Sequence, residues 1–274
     1  MNTFKKVGIL FSALFILAAC NNKTGTEGSQ TSSTAESQET TLSAEQILKN
    51  TQDAMAKVKN YQIDMKISSS IFVVDKLIDL ESNSVSQVFL NPLLVKTTIA
   101  PSSESGSVQE MVQYADSQFF YIPNLETGGW YKSPMDKIIS SNSYDTFYAM
   151  LSKLTDLSSK MITKTEGANY SVSLHLEGAD TEEFSKLIDG EFAKYAPKYT
   201  SIDLAFLIDK TTFLPTSTRS EMAIDTSTNS SESSTESSND GTKVVTEQIY
   251  SKFNQVEPFT IPEETKNAEP LEQQ

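Results

Sequence analysis

The chain has 274 residues, and 22 Lys and Arg residues against 36 Asp and Glu residues give it a formal net charge of −14 at pH 7. This acidity excludes a nucleic-acid-binding protein that relies on a broad basic surface. A single His and a single Cys exclude a metal site built from several Cys and His ligands, and the apolar content of 38% is enough for one sizeable core.

The N-terminal segment has the pattern of an export signal. Lys5 and Lys6 form a positive region, and an apolar stretch follows from Val7 to Ala19. The stretch is shorter than the roughly 20 residues that span a bilayer as a helix. The pattern predicts that residues 1–19 are a signal peptide.

The end of this segment carries a possible lipid attachment site. Leu17, Ala18 and Ala19 stand directly before Cys20, the only cysteine, and this sequence looks like the lipobox of bacterial lipoproteins. The resemblance implies cleavage behind Ala19 and a diacylglycerol on the Cys20 sulfur, with palmitate-type acyl chains. Each buried methylene contributes about 0.8 kcal/mol, so we expect an anchor on the extracytoplasmic face of the cell membrane of a Gram-positive bacterium.

A polar tether separates this site from the folded part of the chain. Residues 20–42 contain almost nothing to bury after the cysteine, and are predicted to be disordered. The folded domain is predicted to begin at Ser43, which forms a capping box with Gln46. Apolar residues at helical spacing follow, and they predict an amphipathic helix to about Lys59.

Beyond Asn60 the hydrophobic period changes from 3.6 to 2, which indicates a half-buried strand with Tyr61 and Ile63 on its apolar face. Short loops then separate a series of strands, which predicts antiparallel pairing. These strands are predicted at Val85 to Phe89, Leu93 to Ile99, Val108 to Ala115, Phe119 to Ile122 and Trp130 to Lys132.

Helices and strands alternate less regularly in the second half. Helices are predicted at about Tyr144 to Ser158 and from Asp180 onward, among strands near Met161 to Thr165 and Tyr170 to Leu176. Three strands follow, at Ile202 to Ile208, Leu214 to Ile224 and Lys243 to Phe253, with a polar insertion at residues 226–240.

The predicted domain therefore covers residues 43–262, with a polar tail at residues 263–274. Strands follow strands, so the fold class is α+β, with ten or eleven strands and three helices.

Three local sequences carry a family resemblance. They are Gly129 to Lys132, the stretch from Ile202 to Pro215, and Tyr250 to Val256 running into Ile261 and Pro262. In this order they resemble the superfamily of the periplasmic lipoprotein carrier LolA and the mycobacterial lipoproteins LppX and LprG, and most closely its uncharacterised Firmicute lipoproteins. The resemblance implies an incomplete antiparallel β-barrel, a strongly curved sheet with helices over its concave side. It also implies an apolar cavity for acyl chains or a lipidated partner.

Seven large apolar residues are candidates to line such a cavity. Amphipathic faces usually form ordinary core, and a Trp after two glycines can simply cap the core, so these alternatives stay open. The candidates are Trp130, Phe147, Leu151, Leu154, Phe184, Leu187 and Ile188.

No catalytic constellation is evident. His175 falls on the polar side of its strand without convergent partners, so we expect it to be exposed. The nucleophile-elbow, dinucleotide, phosphate-loop, zinc-protease and calcium-loop motifs are all missing from the sequence. We therefore expect a protein that is not an enzyme and that uses no cofactor and no metal.

Three functions remain open. The first is a lipid- or amphiphile-binding lipoprotein that sequesters or transfers its ligand. The second is a solute-binding lipoprotein of a transporter, against which the strand-after-strand order argues. The third is an envelope interaction protein with a filled core, which an open apolar space would distinguish from the first. A monomer without a nucleic-acid partner is expected in each case.

Overall fold

The computed structural model describes residues 42–73, 76–100, 110–135, 146–189, 198–225 and 242–271, without the side chains of residues 71–73, 76–77, 146–149 and 188–189. The predictions for the signal peptide, Cys20, the tether and the insertion at residues 226–240 lie outside the described residues.

The first helix, α1, spans Ala44–Met55, and the predicted capping box is confirmed. The Ser43 hydroxyl accepts a hydrogen bond from the Gln46 amide at 3.2 Å, and the Gln46 side chain accepts one from the Ser43 amide at 3.0 Å. The helix ends before the predicted Lys59. Val58 donates to the Met55 carbonyl three residues back, which tightens the last turn, and strand β1 starts at Asn60.

Strands β1 (Asn60–Val73) and β2 (Lys76–Leu90) form a long antiparallel hairpin. The prediction of a second strand that starts at Val85 is wrong, because β2 pairs with β1 as far back as Lys76. Asp79, Glu81 and Asn83 hide this part of the hairpin in the sequence, because these residue types are depleted in strands.

The remaining elements follow the predicted order. Four strands precede the second helix: β3 (Leu93–Ile99), β4 (Met111–Asp116), β5 (Phe119–Pro123) and β6 (Trp130–Pro134). Helix α2 (Thr146–Leu154) continues into a 3₁₀ helix (Thr155–Lys160). The rest comprises β7 (Ile162–Glu166), β8 (Asn169–Glu177), α3 (Ala179–Asp189), β9 (Tyr199–Asp209), β10 (Pro215–Ile224) and β11 (Thr242–Ser251).

Together with a last strand, β12 (Glu269–Pro270), these strands form one sheet in the order β12-β6-β5-β4-β3-β2-β1-β11-β10-β9-β8-β7. Neighbours are antiparallel except β12 (Glu269–Pro270), which runs parallel to β6. The two ends of the order are not paired with each other, so the sheet is unclosed. The predicted α+β class and antiparallel sheet are confirmed, with twelve strands in the described residues rather than ten or eleven.

The additional strand shows that the domain continues past its predicted end at Pro262. A short 3₁₀ helix (Glu263–Asn267) leads to β12, and both Thr265 and Ala268 are buried. The Leu271 amide donates to the Lys132 carbonyl at 2.8 Å. A polar strand of only two residues has no periodicity, so the sequence pattern could not reveal it.

The core lies on one face of the sheet, which we call the inner face, and the opposite face is the outer face. Ala115 of β4 and Val172 of β8 belong to the same buried cluster, together with residues of α1, α2 and α3. On a flat sheet these strands would lie roughly 34 Å apart, at about 4.8 Å per strand. Their shared core shows that the sheet is curved around the helices.

Candidate functional site

The inner face is closed at one end and open at the other. On β1, Tyr61 and Ile63 are fully buried, whereas Ile67 is half-buried. On β2, Val88 is fully buried, but Leu80 at the other end is 49% exposed. Apolar side chains of the inner face thus remain in contact with solvent toward the tip of the hairpin.

Strands β10 and β11 show the same gradient beside β1. Gln248 and Thr218 are buried, and the next inner-facing residues toward the open end are half-buried. The strand register brings these residues of the three strands side by side. We call this surface the inner trough; its members are Met65, Ile67, Ser220, Met222, Val244 and Thr246.

The inner trough is uncharged, and the charges lie on the outer face. No inner-facing residue of the four neighbouring strands β1, β2, β10 and β11 is acidic or basic over the ranges considered. These ranges are Tyr61 to Ser69, Leu80 to Val88, Thr218 to Ile224 and Thr242 to Tyr250. The intervening residues on the same strands carry the ion pairs, for example Lys66 with Glu81 at 2.8 Å. This segregation favours a ligand whose buried part is apolar and neutral.

A buried amide lies at the closed end of the trough. The Gln248 side chain is only 3% exposed, and it pairs across the sheet with Met65 and Thr218. Its Oε1 atom accepts hydrogen bonds from the Thr218 hydroxyl and the Tyr250 hydroxyl, both at 3.0 Å. Within the part of the chain that the structure describes, its Nε2 atom has no hydrogen-bond partner.

Trp130 does not lie on the inner face. Register places it on the same side of the sheet as Tyr114, opposite to the buried Ala115, and the Trp130 and Tyr114 rings are 5.7 Å apart. Phe259 of the C-terminal segment packs between Tyr114 and Phe89 on that outer face. Trp130 therefore belongs to an outer aromatic cluster and neither lines nor caps the concave side, because a strand directs alternate side chains to opposite faces.

The helical candidates pack into the core. Leu151, Leu154 and Phe184 are buried in the central cluster, and Leu187 is partly buried against it. The side chains of Phe147 and Ile188 lie outside the described residues.

An open groove of about 580 Å³ lies over strands β7 to β10 and is lined by His175, Asp203, Arg219 and Glu221, among other residues. These four side chains belong to the outer face, so the groove is separate from the inner trough. The charged lining makes it unsuited to an acyl chain.

His175 is exposed, as predicted, but it is held by two carboxylates. Its Nδ1 atom lies 2.7 Å from Asp203 Oδ1, and its Nε2 atom lies 3.2 Å from Glu177 Oε1. The hydrogen bond to Asp203, with the charges of both carboxylates, raises the pKa of His175 above 6.5.

Glu221 joins two cations on the same face. It contacts Lys243 and accepts a hydrogen bond from Arg219 Nη2 at 2.7 Å. Its hydrogen bonds, first with Lys243 and then with Arg219, lower its pKa. Within the described ranges, no group of three or more His, Cys, Asp and Glu side chains is placed to hold a metal ion. None of the described helices is both long and apolar enough to cross a membrane.

Residues 43–270 match the profile of DUF6612, a family of unknown function. The chain belongs to this family. No curated protein sequence matches it.

Several solved structures are similar to this DUF6612 chain. The Mycobacterium tuberculosis lipoprotein LppX matches with a TM-score of 0.43 and 12% identity, over 80% of this chain and 98% of that one. A LolA superfamily protein from Nitrosomonas europaea matches with a TM-score of 0.34 and 9% identity, over 82% and 97%. A DUF1329 family protein from Desulfovibrio piger matches with a TM-score of 0.31 and 8% identity, over 75% and 89%.

Sequence reasoning missed the buried polar residues at the closed end of the inner trough. Gln248 and Thr218 occupy inner-facing positions on strands whose other inner residues include Tyr250 and Met222. A polar residue at an inward position of an alternating strand is a usable signal, but it requires the strand's inward face to be known.

Proposed function

We propose that this protein is an extracytoplasmic lipoprotein, anchored to the cell membrane through a diacylglycerol on Cys20, that binds a lipid or other amphiphile in the inner trough for sequestration or transfer. The observation that carries the proposal is the trough itself. It is an uncharged inner surface with half-buried Met65, Ile67, Met222 and Val244, and it opens toward the exposed Leu80.

The physical basis is the burial of apolar surface. Each square ångström removed from water contributes about 25 cal/mol, so an acyl chain laid on the trough gains from its own methylenes and from the side chains that it covers. Charged side chains, which would resist this burial, are confined to the outer face along these strands. The polar segment between Cys20 and Ser43 would let the domain reach along the envelope.

The proposal is tested by filling the trough. Thr246 faces the trough and its neighbour Val245 faces outward on the same strand, so Thr246→Trp and Val245→Trp add the same side chain to opposite faces. The full chain is purified from bacterial membranes in a mild detergent, and non-covalently bound lipid is extracted and quantified by mass spectrometry. We expect close to one lipid per wild-type protein, a several-fold loss in Thr246→Trp, and no change in Val245→Trp.

Lipid-free wild-type protein that also fails to take up a dansyl-labelled neutral lipid would overturn the proposal. That result would favour an envelope interaction protein with a filled core. Equal lipid content in the two Trp variants would place any bound lipid away from the trough.

A further inference from the structure

We propose that Gln248 recognises the ligand: its side-chain amide donates a hydrogen bond to a neutral carbonyl oxygen of the bound amphiphile, such as an acyl ester. This inference rests on the proposed function and assigns a specificity-determining residue within it. It starts from a buried donor that has no hydrogen-bond partner among the described residues.

Gln248 Nε2 is buried and lacks a hydrogen-bond partner in the described ranges. Native proteins rarely leave a buried donor without a partner, because the lost hydrogen bonds to water are not replaced. Gln248 is 3% exposed, and no hydrogen-bond partner for its Nε2 is found among the described residues. A ligand that brought an acceptor oxygen to this atom would complete its hydrogen bonding.

The amide is held in one orientation. The hydroxyls of Thr218 and Tyr250 both donate to Gln248 Oε1, from the neighbouring strand and from the same strand. Two donors that converge on the oxygen leave the nitrogen as the free end of the amide. In this orientation Nε2 is the end of the amide that can donate to a ligand.

The surroundings select the kind of acceptor. The trough has no charged residue on these strands, so an anionic group placed there would lose its hydration without a counter-charge. Apolar Met65 and Ile67 lie beside the hydroxyls of Thr246 and Ser220, which together form a strip of mixed polarity. An ester or amide carbonyl flanked by methylenes matches this mixture, and a bare hydrocarbon leaves Nε2 unsatisfied.

The test compares two probes that differ only in the carbonyl groups. One is a diacyl phosphatidylcholine with a fluorophore on one chain, and the other is its dialkyl ether analogue with the same fluorophore. Both are titrated against the full chain in one mild detergent. We expect wild-type protein to prefer the ester probe by about threefold to tenfold, the range of one net hydrogen bond.

Gln248→Met keeps the side-chain length and removes the donor. It is expected to abolish the ester preference and to leave ether binding unchanged or tighter. Gln87→Met is the matched control, because Gln87 lies on the outer face of β2, and it is expected to keep the preference. Thr218→Val removes one of the two hydroxyls that orient the amide, and is expected to reduce the preference even if Gln248→Met does not fold.

The outcomes separate the two proposals. Equal binding of both probes by wild-type protein would show that Gln248 does not recognise the carbonyl group, and so would an ester preference that persists in Gln248→Met and Thr218→Val. The proposed lipid binding would be unaffected by either result. If neither probe binds wild-type protein, the proposed function fails and this inference fails with it.

Discussion

His175 and Asp203 face each other directly across strands β8 and β9, and the imidazole Nδ1 lies 2.7 Å from the carboxylate Oδ1. Glu177 contacts the other ring nitrogen at 3.2 Å, so the only histidine of the chain lies between two carboxylates on the outer face. The pair borders the charged outer groove and has no part in the uncharged trough.

This pair predicts a pH effect with a definite sign. The pKa of His175 is higher in the folded protein than the value of 6.5 for a free side chain, so protonation favours the folded state. The stabilisation is fully present below about pH 6.5 and is lost as the pH rises through the folded pKa. An NMR titration of the imidazole should show the raised value, and Asp203→Asn should lower it. An unchanged pKa in Asp203→Asn would contradict the assigned cause.

Replacing Leu154 by a smaller residue is expected to cause a large loss of stability. Its side chain is fully buried between the helices and the sheet, so Leu154→Ala should lower the free energy of unfolding by about 2–5 kcal/mol. Met222→Ala in the half-buried trough should cost less, because part of that side chain already contacts water. Urea denaturation measures both. Equal losses would mean that the trough is packed as tightly as the core.

The C-terminal strand β12 extends the folded domain beyond the boundary that the sequence pattern predicts. A chain that ends at Pro262 lacks β12 and the buried Thr265 and Ala268. The loss of the pairing between β12 and β6, with the hydrogen bond from the Leu271 amide to the Lys132 carbonyl, predicts a decrease of about 1–3 kcal/mol in the free energy of unfolding, seen as a fall of several degrees in the melting temperature. A chain that ends at Leu271 is the control and should melt like the full chain. Identical melting of both truncated chains would show that the segment adds nothing to stability.

The anchor is tested at Cys20, which lies outside the described residues. Cys20→Ala removes the sulfur that would carry the diacylglycerol, so labelling with radioactive palmitate should be lost and the protein should no longer be lipid-anchored. Ser33→Ala in the same polar segment is the control and should keep the label. Palmitate incorporation into Cys20→Ala would place the lipid on another residue.

Local patterns predicted much of the fold. The capping box at Ser43, the alternation that begins at Tyr61 and the bounds of β3 all follow from interactions within a few residues. The turn after β9 was also predictable, since Asp209 Oδ1 accepts hydrogen bonds from the Thr211 and Thr212 amides at 3.0 and 2.7 Å.

The candidate site was less predictable. From the sequence, Trp130 could cap the core or line a cavity, but the register of β5 and β6 turns it outward. Gln248 looked like an ordinary polar residue of a strand, and only its pairing with Met65 and Thr218 shows that it is buried beside the trough. A one-residue shift in register reverses the face of every side chain, so residue type alone cannot assign these positions.

The sequence by itself determined the acidic charge, the α+β order of elements and the alternation of each long strand, because these depend on composition and on neighbours along the chain. Only the tertiary structure decided that β1 pairs with β11, so that Met65 lies beside Gln248 from the other end of the domain. That pairing depends on hydrogen bonds between distant segments, and it determines which face of the strands is sheltered and where, among the described residues, a buried amide nitrogen has no hydrogen-bond partner.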